Sequence, residues 1–163
     1  MQTYSKTSRK SYKLITVLII FIWSVLLFAS CSHPDKPEPV QLGVDVCANC
    51  KMTIVDPKWG AEIITDKGKV YKFDVVECML SYYIYEMHKN RNKVSSFWTI
   101  NYLNPGEFIE AETALYYRSP EFHSPMGLNA VSLKKGEDIS KLNLAKSPEK
   151  LEWEGMLKAV EMK

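Results

Sequence analysis

Behind four cationic residues and no acidic one (Lys6, Arg9, Lys10, Lys13), the chain runs through sixteen mostly apolar residues, Leu14 to Ala29. This segment limits the fold more than any other. A cationic stretch followed by an apolar run is the n-region and h-region of a secretory signal peptide. Sixteen residues fall a little short of the ~20 that span a bilayer comfortably as a helix. The run closes at Phe28-Ala29-Ser30-Cys31, which resembles a bacterial lipobox, in which the cysteine becomes the first mature residue and carries lipid on its sulfur. Phe28 stands where a smaller aliphatic residue is usual. An uncleaved amino-terminal anchor is the other reading, and both tether the folded part outside the cytoplasmic membrane. The expected division is a signal peptide over 1–30, a Pro-rich tether over 31–40 and a folded domain over 41–163. Ser32 to Pro39 contains three prolines and alternating charges, as an extended spacer does, and His33 belongs to it as a solvated residue.

About 120 residues are left to fold, enough for one modest core. Beyond residue 30 the chain holds 17 basic and 19 acidic side chains with no basic stripe, so nucleic-acid binding loses its electrostatic basis. Gly60 to Thr65 and Lys69 to Phe73 flank Asp66-Lys-Gly68 and read as a β-hairpin. Asp74 is placed to cap a helix over 75–88, with Glu77 at capping-box spacing. That helix gathers Val75, Val76, Met79, Leu80, Tyr82, Tyr83 and Met87 on one face. Glu77, Ser81 and His88 fall opposite, toward solvent, and Cys78 sits on the edge. Ser95 to Ile100 is the next strand, followed by a turn cluster over 101–106. Ala114 to Arg118 and Ala130 to Leu133 are further strands around a Pro-rich loop, and a short helix covers 138–143. Ser147-Pro148 opens a final helix to about Val160. The expected class is α+β with a mainly antiparallel sheet.

With Cys31 lipidated, three thiols remain, Cys47, Cys50 and Cys78, an odd number for a compartment where cysteines usually pair. In Cys47-Ala-Asn-Cys50-Lys-Met52, a strand beginning at Cys50 would put Met52 on the cysteine's face two residues on. Two thiolates and a thioether then converge on one point, a soft donor set that favours Cu(I) over zinc. A two- or three-coordinate cuprous ion keeps an open side for an incoming ligand. Cys78 lies in the first turn of the expected helix, as a third thiolate or as a core residue. Met126, held between Pro125 and Gly127 in a loop, is a ligand or gate with no evident packing duty, and His123 is a weaker candidate. Met79 and Met87 read as core.

Cys47 and Cys50 also fit a thiol–disulfide oxidoreductase or a plain structural disulfide. Such exchangers place Cys-x-x-Cys at a helix start, whereas Lys51 to Val55 reads as a short strand. A zinc site has no second pair at finger-like spacing. The chain lacks Gly-x-Ser-x-Gly, a phosphate-cradling glycine loop and His-Glu-x-x-His, and Asp56, Asp66 and Asp74 are turn or cap residues by position, so an enzyme is not expected.

Taken as an ordered set, these residues resemble the NosL family of lipoprotein copper chaperones that accompany nitrous-oxide reductase. The matching pieces are Cys31, Cys47-x-x-Cys50-x-Met52, Asp56, Tyr71-x-Phe73-Asp74 leading into Cys78-Met79, and Pro125-Met126-Gly127, over residues 31–133. Lys51 stands where the family pattern has glycine, and the fit is weaker after Met126. The resemblance implies a small α+β domain of two related strand-strand-helix-strand units, with a fold shared with organomercurial lyases. It implies a periplasmic, membrane-anchored metallochaperone for Cu(I), working beside an ABC-type transporter complex to supply the copper centres of nitrous-oxide reductase. Cys47 and Cys50 lead the expected ligands, followed by Met52 and Met126, with Cys78 as a third thiolate. A metal-storing lipoprotein with no delivery partner is the blander version.

Overall fold

The computed structural model describes residues 36–87 and 93–163. The signal peptide over 1–30, Cys31, the tether up to residue 35, His33 and His88 therefore lie outside the described residues. Among those described, no helix is long and apolar enough to cross a membrane.

The hairpin forms where Asp66-Lys-Gly68 requires it: Gly68, at φ +76°, sits in the loop and its amide bonds the Thr65 carbonyl at 2.8 Å. Its arms are β1 (Ala61–Thr65) and β2 (Val70–Phe73). Helix α1 (Val76–Tyr82) follows and widens into a single π-helical turn, Tyr83–Met87. Then come β3 (Val94–Ile100) and β4 (Phe108–Glu110), completing a four-stranded antiparallel sheet in the order β2-β1-β3-β4. The second sheet is β6-β5-β7, from β5 (Leu115–Arg118), β6 (Ala130–Leu133) and β7 (Glu149–Leu151), with a 3-10 turn at Ile139–Leu142 capped by Asp138. Helix α2 (Trp153–Glu161) ends the fold and packs against α1. The class is α+β, and all strand pairings are antiparallel.

Ser132 stitches the two sheets together. Its hydroxyl donates to the Ile100 carbonyl at 2.7 Å and meets Thr99 Oγ1 at 2.9 Å, while Tyr102 N bonds the Ser132 carbonyl. The core between sheets and helices holds Ile63, Phe73, Met79, Leu80, Met87, Tyr116, Leu133 and Met156. Tyr116, completely buried, satisfies its hydroxyl on the Ala111 carbonyl at 2.7 Å.

Strand β1 is buried on both faces. Ala61 and Ile63 join the core, whereas Glu62 lies under the segment 38–45 and accepts a hydrogen bond from the Glu38 amide at 2.9 Å. Lys72, paired across the hairpin with Glu62, holds the same segment through Asp45 (2.9 Å) and the Pro39 carbonyl (3.1 Å). A buried carboxylate and a lysine thus fasten the chain that leads into Cys47.

Four expectations are corrected. Asp74 does not cap α1: the cap position falls to Val75, without a side-chain bond, because the Asp74 carboxylate is turned toward Cys50. Glu77 is buried, since α2 and the loop after Phe122 cover the helix face that would otherwise meet water. The final helix begins at Trp153 and not at Ser147-Pro148: residues 149–151 instead pair with β5, where Arg118 grips Glu149 at 2.6 Å. The first half runs strand-strand-helix-strand as expected. The second half places its helix after the third strand, so the two halves are not the same unit repeated.

Candidate metal centre

Cys47 ends a short paired segment. Val46 lies opposite Thr53, Ile54 N bonds Asp45 O at 2.9 Å, and Cys47 N bonds Met52 O at 2.8 Å. Between the two sides the chain makes one helical turn, closed by Lys51 N on the Cys47 carbonyl at 3.1 Å and terminated by Lys51 in the left-handed region at φ +65°. One such turn puts residues three apart on the same side, so Cys47 and Cys50 face together. Ala48 N bonds the Lys72 carbonyl at 2.8 Å, which pins the turn beside the end of β2 and brings Asp74 to it. Cys78 arrives from the first turn of α1.

The three sulfur atoms and one Asp74 oxygen all lie within 4.8 Å of one another. Donors on opposite sides of an ion at ~2.3 Å, the length of a zinc–thiolate bond, stand ~4.6 Å apart, so the cluster is at the scale of a single ion. All three thiols are free, and Cys47, Cys78 and Asp74 are buried, leaving Cys50 as the partly exposed member. Cys50 Sγ donates to Asp74 Oδ2 at 3.5 Å, while Asp74 Oδ1 is buried with no hydrogen-bond partner. A cation is the natural complement to such an oxygen.

The Cys78 thiol donates to the Cys47 sulfur and pulls Cys47 down to about 6, against the opposing effect of burial; the amides of Asp74 and Cys50 help. Cys78 is pushed far up because its proton is held by the Cys47 sulfur and because it is buried. Burial, reinforced by Cys47, raises Cys50 to about 11. Hydrogen bonding within the cluster thus favours a thiolate at Cys47, and a metal ion displaces the remaining thiol protons as it gathers the sulfurs.

Met126 lines a cavity of about 360 Å³ together with Asn49, Glu77, Cys78, Ser81 and Tyr85. The structure thus brings Cys47, Cys50 and Cys78 together and sets Met126 at a cavity that shares the Cys78 wall. Met52 is 44% exposed. The strand expected to carry it on the Cys50 face does not form, because the chain reverses at Lys51 and resumes only as the single bridge at Thr53. His123 is exposed. Asp74 reads by its position as a cap and not as a member of the cluster, although the run Tyr71-x-Phe73-Asp74 leading into Cys78 carries it among the matching residues.

Lys51 occupies a conformation that costs a side-chain-bearing residue ~1–2 kcal/mol, and the greater freedom of an unfolded glycine offsets part of this. Lys51→Gly is therefore expected to stabilise the fold by about 0.5–1 kcal/mol, as read by urea unfolding. An unchanged or lower midpoint would show that the turn is not strained.

The NosL family model matches residues 39–156. The crystal structure of the copper chaperone NosL from Shewanella denitrificans is similar with a TM-score of 0.60 and 16% identity, covering 74% of this chain and 95% of that one. At that identity the likeness concerns the fold. No curated protein matches the chain.

Proposed function

Because the chain belongs to the NosL family, we propose that it is a metallochaperone binding Cu(I) through Cys47, Cys50 and Cys78, with Met126 as a thioether donor and Met52 as an outer one. The observation that carries the reading is the cluster of three free thiols and an orphaned carboxylate oxygen at single-ion spacing. Thiolates and thioethers are soft donors suited to a cuprous ion. Copper is also what the similar Shewanella denitrificans protein is named for. Asp74 neutralises part of the ion's charge and holds Cys50 in place. Cys50, on the exposed side, is the sulfur through which an acceptor exchanges the ion.

The domain over 41–163 works outside the cytoplasm, on the periplasmic side, tethered through a lipid on Cys31 after removal of 1–30. It catalyses no reaction of its own. Its cargo goes to the copper centres of nitrous-oxide reductase, in contact with an ABC-type transporter complex. The basis for this destination is the family.

Titrating the reduced full chain with Cu(I) against a chromophoric chelator is expected to give one ion per chain, with a sulfur-dominated shell by X-ray absorption. No saturable binding, or an oxygen-rich shell, overturns the reading. One observation favours a second role: a Cys47 thiolate near neutral pH beside Cys50 is also what a thiol–disulfide oxidoreductase uses. A reversible Cys47–Cys50 couple that reduces a disulfide substrate, with no copper retained, would establish that role in place of the first.

A further inference from the structure

Glu77 is a buried carboxylate one residue before Cys78, at the wall of the cavity that Met126 lines. Its Oε1 accepts from Ser124 Oγ at 2.7 Å. That same Ser124 oxygen accepts the amides of Gly127 (3.1 Å) and Asn129 (2.9 Å), and Ser124 N is held by Asn129 Oδ1 at 3.1 Å. The loop from Ser124 to Asn129 is thus wound around one hydroxyl. It tolerates that path through left-handed backbone at Gly127 (φ +79°) and Asn129 (φ +59°). Met126 stands at its apex, where the Lys163 ammonium donates to its carbonyl. Nothing on the helix besides Glu77 bonds Ser124, and a solvent-facing glutamate at this position would leave the loop without its inner anchor.

We infer that Glu77 is a positioning residue for the Met126 thioether: its buried carboxylate holds Ser124, and through Ser124 the whole 124–129 loop, so that the Met126 sulfur stands at the cavity beside Cys78. This deepens the copper reading and rests on it. Glu77 itself donates nothing to the ion. The backbone amides of Met126 and Leu128 also act on the Glu77 carboxylate, which therefore faces the loop. Removing a hydrogen-bonded support of a ligand typically lowers metal affinity 10–100-fold.

The test is a double-substitution cycle on the reduced full chain, read by Cu(I) competition and by the sulfur count in X-ray absorption. Met126→Leu is expected to weaken Cu(I) binding about tenfold and remove one sulfur. Ser124→Ala and Glu77→Leu are expected to reproduce both effects, because neither keeps the Ser124–Glu77 hydrogen bond, and Glu77→Leu/Met126→Leu to be no weaker than Met126→Leu alone, because both changes remove the same donor. A full sulfur count in Ser124→Ala and Glu77→Leu, or additive losses in the double variant, overturns the positioning role while leaving the thioether ligand intact. Unchanged binding in Met126→Leu overturns the thioether ligand and the positioning role together, with the thiolate site judged separately by Cys47→Ser. Ser124→Ala keeps the test decisive should Glu77→Leu fail to fold. A role confined to stability would lower the melting temperature with the sulfur count unmoved.

Discussion

Cys47→Ser is expected to cut Cu(I) affinity at pH 7 by a hundredfold or more, on the order of 3 kcal/mol, the largest effect of any single substitution in the chain. The Cys78 thiol and the two amides converge on Cys47 and lower it to about 6, which favours its thiolate. A serine oxygen at the same point stays protonated and hard, so the ion loses both its resident charge and a soft donor. Competition titration measures the loss, and the sulfur-to-copper absorption band should fall with it. Cys78→Ser should act in the same direction, because the serine hydroxyl still donates to Cys47 but the ion loses a soft ligand. If Cys47→Ser binds within threefold of the wild type while keeping its circular dichroism, the site lies elsewhere.

The second large effect is on stability. Glu62 is fully buried in the central strand, one of its oxygens has no hydrogen-bond partner, and burial raises it to about 7 against the attraction of Lys72 and the Glu38 amide. An acid whose folded value is raised binds its proton more tightly in the native state than in the unfolded one. Its contribution is therefore fully present below the unfolded value near 4.5 and is lost as pH rises through about 7. Between pH 5 and pH 8 the loss amounts to about 2–3 kcal/mol. Cys47, lowered to about 6, works the other way and adds stability as pH rises above that value, so the wild-type profile alone mixes the two. Glu62→Gln isolates the carboxylate. Urea unfolding under reducing conditions should show the variant gaining on the wild type from pH 5 to pH 8 by that amount. Parallel profiles would show that Glu62 titrates normally. The groups facing it, Glu38, Asp45 and Lys72, are unaltered in the comparison.

Much of the first sheet was legible in the sequence because its signals are local. The Asp66-Lys-Gly68 turn sets the hairpin register, and the alternation before and after it does the rest. The short strands β4 and β7 were not legible, because three residues cannot display a period and their pairing depends on β3 and β5 being in place already. Cys47 and Cys50 stand out through their spacing, and Cys78 reads as a third thiolate or a core residue; what brings it to them was not legible, because it depends on Ala48 bonding the Lys72 carbonyl, a contact between distant segments. Asp74 and Glu77 were misassigned for one reason. Both fit a helix start, and a capping pattern does not reveal that a sulfur and a serine from elsewhere in the fold have taken the carboxylates. Lys51 is the opposite case. The glycine expected at that position by resemblance matches the left-handed backbone that the lysine adopts there.

The four donors come from three separate stretches of chain: a turn, a strand end and a helix. An ion held between them is a crosslink closing the loop from position 47 to position 78 around the entire hairpin. Such a closure removes conformations mainly from the unfolded chain. Cargo loading therefore makes the carrier more resistant to proteolysis and heat, and handing the ion on relaxes it, so the loaded and empty carriers differ in lifetime as well as in content.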